Sequence, residues 1–320
     1  MGNSKKILAI GSSNMDVVLK VRKWPVPGES LPVDGFSRNL GGKGSNRAVA
    51  LKRQGADVLF CCKLGQDDAG KFIMEQYHSE GLDPRLVRFD GDAETGSAYI
   101  VLDPHGNNYI LSNLGANGRF RDEDCSAFIN QLENAKCLSL DLEFNLDAVE
   151  HILSSARTCA KDVKIIVDAG PTRDVTLDLF RGVFVLSPNE NEAEQLTGVP
   201  IQDLDSAKRA CGKLYESGCE YVVLKWGARG ALLYGRDGFT LFPAYQAGPV
   251  VDTTAAGDCF MAALTYAVSQ DERLPSAICY ANVCAALSVT RFGAISSLPK
   301  RREIEDAVLK ARKEGYFDVK

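Results

Sequence analysis

The sequence of 320 residues contains few of the residue patterns that mark several common classes of protein. It has only three histidines, His78, His105 and His151, and none are spaced as a pair of metal ligands, so no zinc site is expected. No Cys-x-x-Cys pair occurs among the ten cysteines, and most of them lie in apolar segments. This usage is typical of buried, reduced thiols in a cytoplasmic protein.

Long apolar runs and a strong charge imbalance are also missing. A membrane span needs about 18 consecutive apolar residues, and no apolar run in the sequence is that long. The N-terminus leads directly into a predicted strand. Neither a membrane span nor a signal peptide is therefore expected. The net charge of −5 does not favour nucleic acid as a partner. With 45% hydrophobic and 25% charged residues, the composition is that of a globular protein with a sizeable core.

What the chain does contain is an alternation of strand-like and helical segments. This pattern predicts an α/β fold, in which helices cover both faces of a mainly parallel sheet. After residue 258 the sequence is almost entirely helical. The strand-like runs are 7–11, 58–62, 137–140, 163–168, 183–187 and 221–225, and the helical stretches are 43–54, 69–80, 146–160, 190–197, 204–217, 258–269, 275–290 and 301–313.

Two regions interrupt this alternation. Residues 15–40 hold short extended runs separated by prolines and glycines, and residues 97–112 read as a hairpin with its turn at 103–106. Both are predicted to belong to one small antiparallel sheet that covers a ligand crevice of the larger sheet. The whole chain, 1–320, is expected to form one domain that carries this lid.

The segment VDTTAAGDCF at 251–260 places an acid at the opening of a helical pattern, directly after an Ala-Ala-Gly turn. Asp258 is a good N-cap residue, which is the simpler interpretation. The alternative is functional, because the N–H groups at a helix start bind anions and Asp258 would stand beside such a site. The segment alone leaves both interpretations open.

Two further segments hold groups that suit a sugar. In GGKGSN at 41–46 the glycines allow close approach of a ligand, and Lys43 and Asn46 can donate hydrogen bonds. Asn14 and Asp16 follow the first predicted strand, where open α/β sheets place ligand contacts. Hydroxyls of a polyol both donate and accept, which matches this set of acid, amide and lysine. Turn-forming roles are the alternative for Asn14 and Asp16.

Two turns near the middle of the chain complete the list of candidate motifs. Asn189 and Glu192 lie on one face of a predicted first helical turn, where they would form a capping box or else contact phosphate and a water-coordinated Mg²⁺. The segment KWGARG at 225–230 is either a hairpin turn or a place where backbone approaches a nucleotide.

These motifs, in this order, resemble those of the ribokinases in the PfkB group of ATP-dependent sugar kinases. The similarity extends from about residue 7 to residue 300. It rests on GSSNMD at 11–16, PGES at 27–30, GGKGSN at 41–46, GAN at 115–117, PNENEAEQLTG at 188–198, WGARG at 226–230 and DTTAAGD at 252–258.

The resemblance implies a fold, an activity and a partner. The family fold is a three-layer α/β/α arrangement with a small β lid, and the lid also forms the interface of a homodimer. The implied reaction is transfer of the γ-phosphate of ATP to O5 of D-ribose. Asp258 would be the catalytic base, and the backbone of Ala255, Ala256 and Gly257 would form the anion hole.

The resemblance also assigns binding residues by position. The sugar contacts would be Asn14, Asp16, Gly42, Lys43, Asn46, Glu143 and Asp258. The nucleotide contacts would be Asn189, Lys225, Trp226, Gly227, Ala228, Arg229, Gly230, Gly257 and Asn282. Glu192 would hold Mg²⁺ through water, and an activating K⁺ would lie near Asp252, Thr254, Ser288, Arg291, Gly293 and Ser297.

The chain departs from the ribokinase pattern at three places. Arg47 stands where ribokinases usually have Gln, Lys225-Trp226 replaces Thr-Leu, and the Asp168-Ala-Gly-Pro171 segment replaces Asn-Pro-Ala-Pro. Two alternatives to a ribokinase stay open. One is a related kinase for deoxyribose, another small furanose or a nucleoside, and the other is a catalytically inactive sugar-binding regulator with the same fold.

Overall fold

The computed structural model of the chain describes residues 6–105, 107–172 and 175–319, and this part contains 14 strands and nine α-helices. The strands are β1 Lys6–Ile10, β2 Asn14–Lys20, β3 Gly35–Gly41, β4 Val58–Cys61, β5 Lys63–Gly65, β6 Arg88–Asp90, β7 Gly96–Leu102, β8 Asn108–Asn113, β9 Ala135–Leu140, β10 Lys164–Asp168, β11 Val185–Ser187, β12 Tyr221–Lys225, β13 Ala231–Gly235 and β14 Gly238–Phe242. The helices are α1 Lys43–Arg53, α2 Asp68–Ser79, α3 Asp122–Ile129, α4 Leu146–Cys159, α5 Glu190–Thr197, α6 Leu204–Tyr215, α7 Ala256–Ser269, α8 Leu274–Ser288 and α9 Arg301–Lys313.

The main sheet has eight strands in the order β14-β13-β12-β11-β10-β9-β1-β4. The strands from β12 to β4 are parallel, whereas β13 and β14 form an antiparallel edge. All six strands that the alternation predicts belong to this sheet, so the prediction of a mainly parallel sheet is confirmed. The antiparallel edge was not predicted, because its strands follow β12 directly without an intervening helix.

Helices bury both faces of this sheet, as the alternation predicts. One core contains residues of α4 and α6 such as Ile152 and Leu214. The other contains residues of α7 and α8 such as Met261 and Ile278. Helix α7 is apolar on nearly every side and buried over most of its length, which is typical of a helix inside the core of a large domain. Its fixed position determines where its N-terminus points.

Helix α3 is not among the helices that the sequence predicts. Helix α3 has only eight residues, and acids occupy its first turn at Asp122, Glu123 and Asp124. Acids in that position favour a helix N-terminus. They also leave too few apolar residues for a helical period to be visible in the sequence.

The smaller sheet has four strands in the order β3-β2-β7-β8. It contains the two predicted segments, with the hairpin of β7 and β8 formed as expected; Gly106 in its turn lies outside the described residues. Strands β2 and β7 come from separate segments and pair in parallel, while the other two pairs are antiparallel. Asp16 lies on one face of this sheet, and Tyr99 and Leu111 lie on the other.

The expectations about cysteines and membranes can also be compared with the structure. All ten cysteines fall within the described residues, where they are free and, except for Cys159, buried. Across the same residues, no helix combines the length and hydropathy that crossing a membrane requires.

Candidate active site

The site begins where the loop after β1 meets the N-terminus of α1. Gly42 has a φ of 90°, in the left-handed region that favours glycine. A Cβ on Gly44 would lie 2.5 Å from the carbonyl carbon of Gly11. These glycines therefore allow residues 11–14 and 41–44 to pack backbone against backbone, which brings Asn14 and Lys43 to the same crevice.

Glu143 and Asn117 hold these loops in place from distant parts of the chain. The Lys43 amide donates to Glu143 Oε2 across 3.0 Å, and the Ser12 hydroxyl donates to the same oxygen. Asn117 Nδ2 donates to Asn14 Oδ1 across 2.8 Å, and Asn117 Oδ1 accepts from the amide of Ser13. The predicted residues Asn14, Lys43 and Glu143 are thus brought together. Asn117 belongs to the GAN motif, but its role as their support was not predicted.

Asp258 faces the same crevice from the first turn of α7. Its side chain is almost fully buried, and its Oδ2 accepts a hydrogen bond from Asn46 Nδ2 across 2.7 Å. Lys43 Nζ lies 3.8 Å from Oδ1. Burial raises the pKa of Asp258 and the charge of Lys43 opposes that rise. A carboxylate with a raised pKa is suited to accept a proton near neutral pH.

Asp16 adds a further carboxyl group to the crevice. Burial first, and then the charges of Glu143 and Asp258, raise the pKa of Asp16 to about 7. Burial and the neighbouring negative charges act in the same direction, since each disfavours the ionised form of the carboxyl group. Asp16, Glu143 and Asp258 therefore form an acidic wall with Lys43 as its counter-charge.

The N-terminus of α7 differs from the simpler interpretation of the sequence. The N-cap residue is Ala255, with a φ of 59°, and Asp258 is the third residue of the helix. No side chain caps the first turn, so Asp258 is not an N-cap. The amide of Ala256 donates to the Thr253 carbonyl across 3.2 Å, which closes the turn. The partial positive charge of the helix start is directed at a neighbouring cavity.

Two cavities meet beside this helix start. The larger, of about 560 Å³, is mostly apolar, and the other, of about 410 Å³, is polar. Both are lined by Lys225, Gly227 and Gly257. Besides these three, the larger cavity is lined by Ala228, Gly230, Ala244, Tyr245, Gln246, Ala247, Gly248, Val250, Thr253, Ala256, Phe260, Asn282, Ala285, Ala286 and Val289, and the polar one by Lys43, Asn189, Glu190, Asn191, Ala255 and Asp258.

Two of the predicted nucleotide contacts, Trp226 and Arg229, lie outside both cavities, and a third, Asn282, is hydrogen-bonded to neighbouring residues. Trp226 is buried in the core, and the guanidinium of Arg229 lies over its ring at 4.7 Å from the centroid. Asn282 lines the larger cavity, but its amide nitrogen donates to the Tyr316 hydroxyl across 3.0 Å and to the Pro243 carbonyl across 3.3 Å. Among the described residues, the walls of the two cavities include neither Trp226 nor Arg229.

Asn189 and Glu192 form the capping box that the sequence suggested. Each side chain accepts a hydrogen bond from the other residue's amide across 2.8 Å. Glu192 is also almost fully buried, and its Oε2 lies 3.9 Å from Lys225 Nζ. Across the described residues no cluster of three or more His, Cys, Asp or Glu side chains could hold a metal ion. That Glu192 holds Mg²⁺ through water stays a prediction.

Asp252 links the loop before α7 to the loop after α8. Its Oδ2 accepts from the Gly293 amide across 2.9 Å, and its Oδ1 accepts from the amide and hydroxyl of Thr254. Ser288, the last residue of α8, and Ser297, in the segment that follows it, are fully buried. Arg291 forms a partly exposed ion pair with Glu303. The K⁺ site expected at these residues stays a prediction.

The comparison with protein families decides what kind of protein carries this site. The family described as pfkB family carbohydrate kinase matches residues 4–301. The chain belongs to this family of carbohydrate kinases.

Individual relatives of this pfkB-family kinase include proteins with two sugar specificities. The ribokinase of Haemophilus influenzae is 32% identical over 93% of the chain and 97% of its own length. The deoxyribokinase of Salmonella typhi is 29% identical over 94% of the chain and 97% of its own length. The bifunctional ribokinase/ribose-5-phosphate isomerase A of Fructilactobacillus sanfranciscensis is 34% identical over 95% of the chain, which spans 56% of that longer protein.

A solved structure agrees with the fold of this pfkB-family kinase. The ribokinase of Arabidopsis thaliana complexed with ribose and ATP superimposes with a TM-score of 0.88 at 28% identity, covering 95% of this chain and 99% of the other. The expected three-layer fold with a small β sheet is thus confirmed.

Two charged clusters of this pfkB-family kinase were not recognised in the sequence. Arg47 and Asp141 form a fully buried ion pair of 2.6 Å, and Asp141 Oδ1 also accepts from the Glu143 amide across 2.7 Å. Asp168, at the end of β10, forms ion pairs with the ammonium groups of both Lys43 and Lys225. The signal that could have revealed them is that Arg47, Asp168 and Lys225 are the departures from the family pattern.

Proposed function

We propose that this protein is an ATP-dependent ribokinase that phosphorylates O5 of D-ribose. The observation that carries the proposal is the position of Asp258. It lies between a crevice rich in hydrogen-bonding side chains and the polar cavity at the start of α7, with Asn46 and Lys43 at its two oxygens. A sugar hydroxyl and a phosphate bound on these two sides would meet at this carboxylate.

The residues of the crevice have defined roles in this proposal. Asp16 and Asn14 bind the sugar hydroxyls, and Glu143 supports the loop that carries Lys43. Asp258 accepts the proton of the attacking hydroxyl. The start of α7 stabilises charge on the phosphoryl group, since phosphoryl transfer depends mostly on positioning and charge stabilisation. One such backbone donor contributes roughly 3 kcal/mol to the transition state.

The larger cavity is the proposed site of the nucleoside of ATP. Its volume of about 560 Å³ lies within the usual range of ligand pockets. Its apolar wall, including Ala285 and Val289 of the α8 region, suits a planar base, and the neighbouring polar cavity suits the phosphates. In this proposal, Lys225, Gly227 and Gly257 line the passage between the two halves of the nucleotide.

Two cations accompany the nucleotide in the proposed reaction. Glu192 would hold Mg²⁺ through water, which is sufficient because Mg²⁺ keeps most of its waters and takes few carboxylates. When bound, this ion would neutralise phosphate charge. The loops joined by Asp252 would hold K⁺, whose presence would support the turn at Ala255.

A homodimer through the smaller sheet is part of the same proposal. The face opposite Asp16 exposes Phe36, Tyr99, Tyr109 and Leu111, which cross-strand pairing aligns on one side of the sheet. Contiguous exposed apolar surface of this kind marks an interaction site. A second copy of the chain would cover it and hold the sheet over the sugar crevice.

A coupled assay of ADP release tests the proposed activity. The purified chain is given ATP with ribose, deoxyribose, other small furanoses and nucleosides. We expect ribose to give the highest kcat/KM. A clear preference for deoxyribose would instead make the protein a deoxyribokinase, a candidate favoured by the relative from Salmonella typhi. Binding of ribose without turnover of any substrate would indicate the inactive regulator.

A further inference from the structure

Two departures from the ribokinase pattern contact each other in the folded chain. Lys225, at the end of β12, and Asp168, at the end of β10, form an ion pair of 2.7 Å. Asp168 is fully buried, and only 11% of the Lys225 side chain is exposed. Burying a charged pair of this kind is weak evidence for stability, since desolvation offsets most of the attraction. The pair lies beside the two cavities, since Lys225 lines both, and this position indicates a role in binding.

Asp168 holds a second ammonium group as well. Lys43 Nζ donates to Asp168 Oδ2 across 3.3 Å, while Lys225 Nζ donates to Oδ1 across 2.7 Å. Burial disfavours ionisation of Asp168, but Lys225 and then Lys43 hold its pKa well below the usual range. Lys43, Asp168 and Lys225 thus form one connected group. Acids border it, since Glu192 Oε2 lies 3.9 Å from Lys225 Nζ and Asp258 Oδ1 lies 3.8 Å from Lys43 Nζ, and its two ammonium groups are the cations that can meet phosphate oxygens.

The lysines of this group point to the place where phosphate is expected. Lys225 lines both the apolar and the polar cavity, and Lys43 lines the polar one beside Asp258. The Cδ of Lys225 lies 4.0 Å from where a Cβ on Gly257 would stand, so its side chain runs past the start of α7. Both lysines therefore border the polar cavity, and Lys225, unlike Lys43, also borders the apolar one.

We infer that Lys225 binds the terminal phosphates of the nucleotide and that Asp168 is a positioning residue which holds the ammonium groups of Lys225 and Lys43 beside the transferring phosphoryl group. Charge on that group is spread over its oxygens, so two fixed ammonium groups stabilise it. The inference rests on the nucleotide site of the proposed function. It does not depend on which sugar is the acceptor.

Binding of ATP and of adenosine, measured by calorimetry without sugar, tests the role of Lys225. We expect Lys225→Met to weaken ATP binding by about 10- to 100-fold, the loss of one hydrogen bond to a charged group. Adenosine has no phosphate, so its affinity stays within about twofold, and Lys225→Arg recovers part of the ATP affinity. Equal losses for ATP and adenosine, or no loss for either, would overturn the inference.

Lys63→Met is the matched control. Lys63 is another buried lysine with two aspartate partners, Asp90 and Asp124, and it lies outside both cavities. Its replacement should leave the affinities for ATP and adenosine within about twofold of the native values, whatever it does to stability. If Lys63→Met lost as much ATP affinity as Lys225→Met, the loss would come from removing any buried lysine charge. It would then not report phosphate binding by Lys225.

A double-mutant cycle tests the positioning role of Asp168. Because Asp168 acts through Lys225, Asp168→Asn should raise the KM for ATP more than that for the sugar. In the Asp168→Asn, Lys225→Met double variant, the effects on ATP affinity should be less than additive. The double variant removes both charges of the Lys225–Asp168 pair at once, so neither is left buried opposite an uncharged partner. Additive losses would contradict the positioning role.

These outcomes separate the inference from the proposed function. If Lys225→Met loses ATP affinity but ribose is not phosphorylated, the inference stands and the choice of ribose is wrong. If ribose is phosphorylated and Lys225→Met binds ATP normally, the proposed function stands and the inference is wrong. A native chain that binds no ATP would contradict both.

Discussion

Asn46 donates a hydrogen bond to Oδ2 of Asp258 across 2.7 Å, although the two residues are 212 positions apart in the sequence. The bond joins the first turn of α1 to the first turn of α7. It fixes one carboxylate oxygen, while Oδ1 lies toward Lys43 at 3.8 Å. Both contacts favour the ionised carboxylate and counteract the effect of its burial.

Replacing Asp258 by Asn should separate catalysis from binding. The amide keeps the size of the side chain but cannot accept a proton, so kcat should fall by about 100- to 10,000-fold. Sugar affinity should change only severalfold. A coupled assay and calorimetry measure these quantities, and near-normal turnover would remove Asp258 from the role of base.

Sugar binding should depend on pH through Asp16. Its pKa of about 7 means that the carboxyl group is protonated below neutral pH and ionised above it. The ionised form accepts more hydrogen bonds from hydroxyls, so the KM for the sugar should rise as the pH is lowered from 8 to 6. Steady-state assays across this range measure the effect. In Asp16→Asn the KM should be uniformly high, and a native KM that does not change with pH would contradict the assignment.

Arg47→Met should destabilise the protein strongly. It leaves Asp141 buried without its partner, and breaking a buried ion pair costs about 3–5 kcal/mol. Urea denaturation measures the change. Arg301→Met, which breaks an exposed pair with Glu305, is the control and should cost less than about 1 kcal/mol. Asp141 also accepts a hydrogen bond from the amide of Glu143, so the ion pair helps to position the sugar crevice. An Arg47→Met protein with native stability and native sugar affinity would contradict this role of the Arg47–Asp141 pair.

Activity should depend on the monovalent cation. Replacing KCl by choline chloride at equal ionic strength should lower kcat, because the turn at Ala255 would lose its neighbouring cation. Asp252→Ala should raise the K⁺ concentration needed for half-maximal activity, since this carboxylate joins the Thr254 and Gly293 segments. Rates that are equal in K⁺, Na⁺ and choline would contradict the assignment of a cation site.

Leu111→Glu should weaken self-association. Leu111 is 68% exposed in the isolated chain and lies on the apolar face of the smaller sheet, where a buried charge would be costly. Sedimentation analysis should show a dimer for the native chain and a shift toward monomer for this variant. Leu309→Glu, an exposed position on α9, is the control and should leave the dimer intact. A native monomer would contradict the proposed interface.

The order of elements and most of the site could be read from the sequence because both depend on local patterns. Apolar periodicity predicts β12 and α5 at the bounds that the structure has, and the glycines of 41–46 mark a close approach of backbone. The resemblance to the pfkB family added the sugar and nucleotide contacts, which stay predictions. Local signals failed for α3, which is short, and for the edge strands β13 and β14, which follow β12 as a hairpin.

The pairing of charges was decided only by the tertiary structure. The departures from the ribokinase pattern single out Arg47, Asp168 and Lys225 but do not show which charges they meet, because the partners lie on separate strands and helices. Packing of the sheet removes these groups from water, and each must then find an opposite charge or a hydrogen bond. The sequence by itself determined which chemical groups the site contains, and only the folded chain decided which of them line the two cavities and which support them.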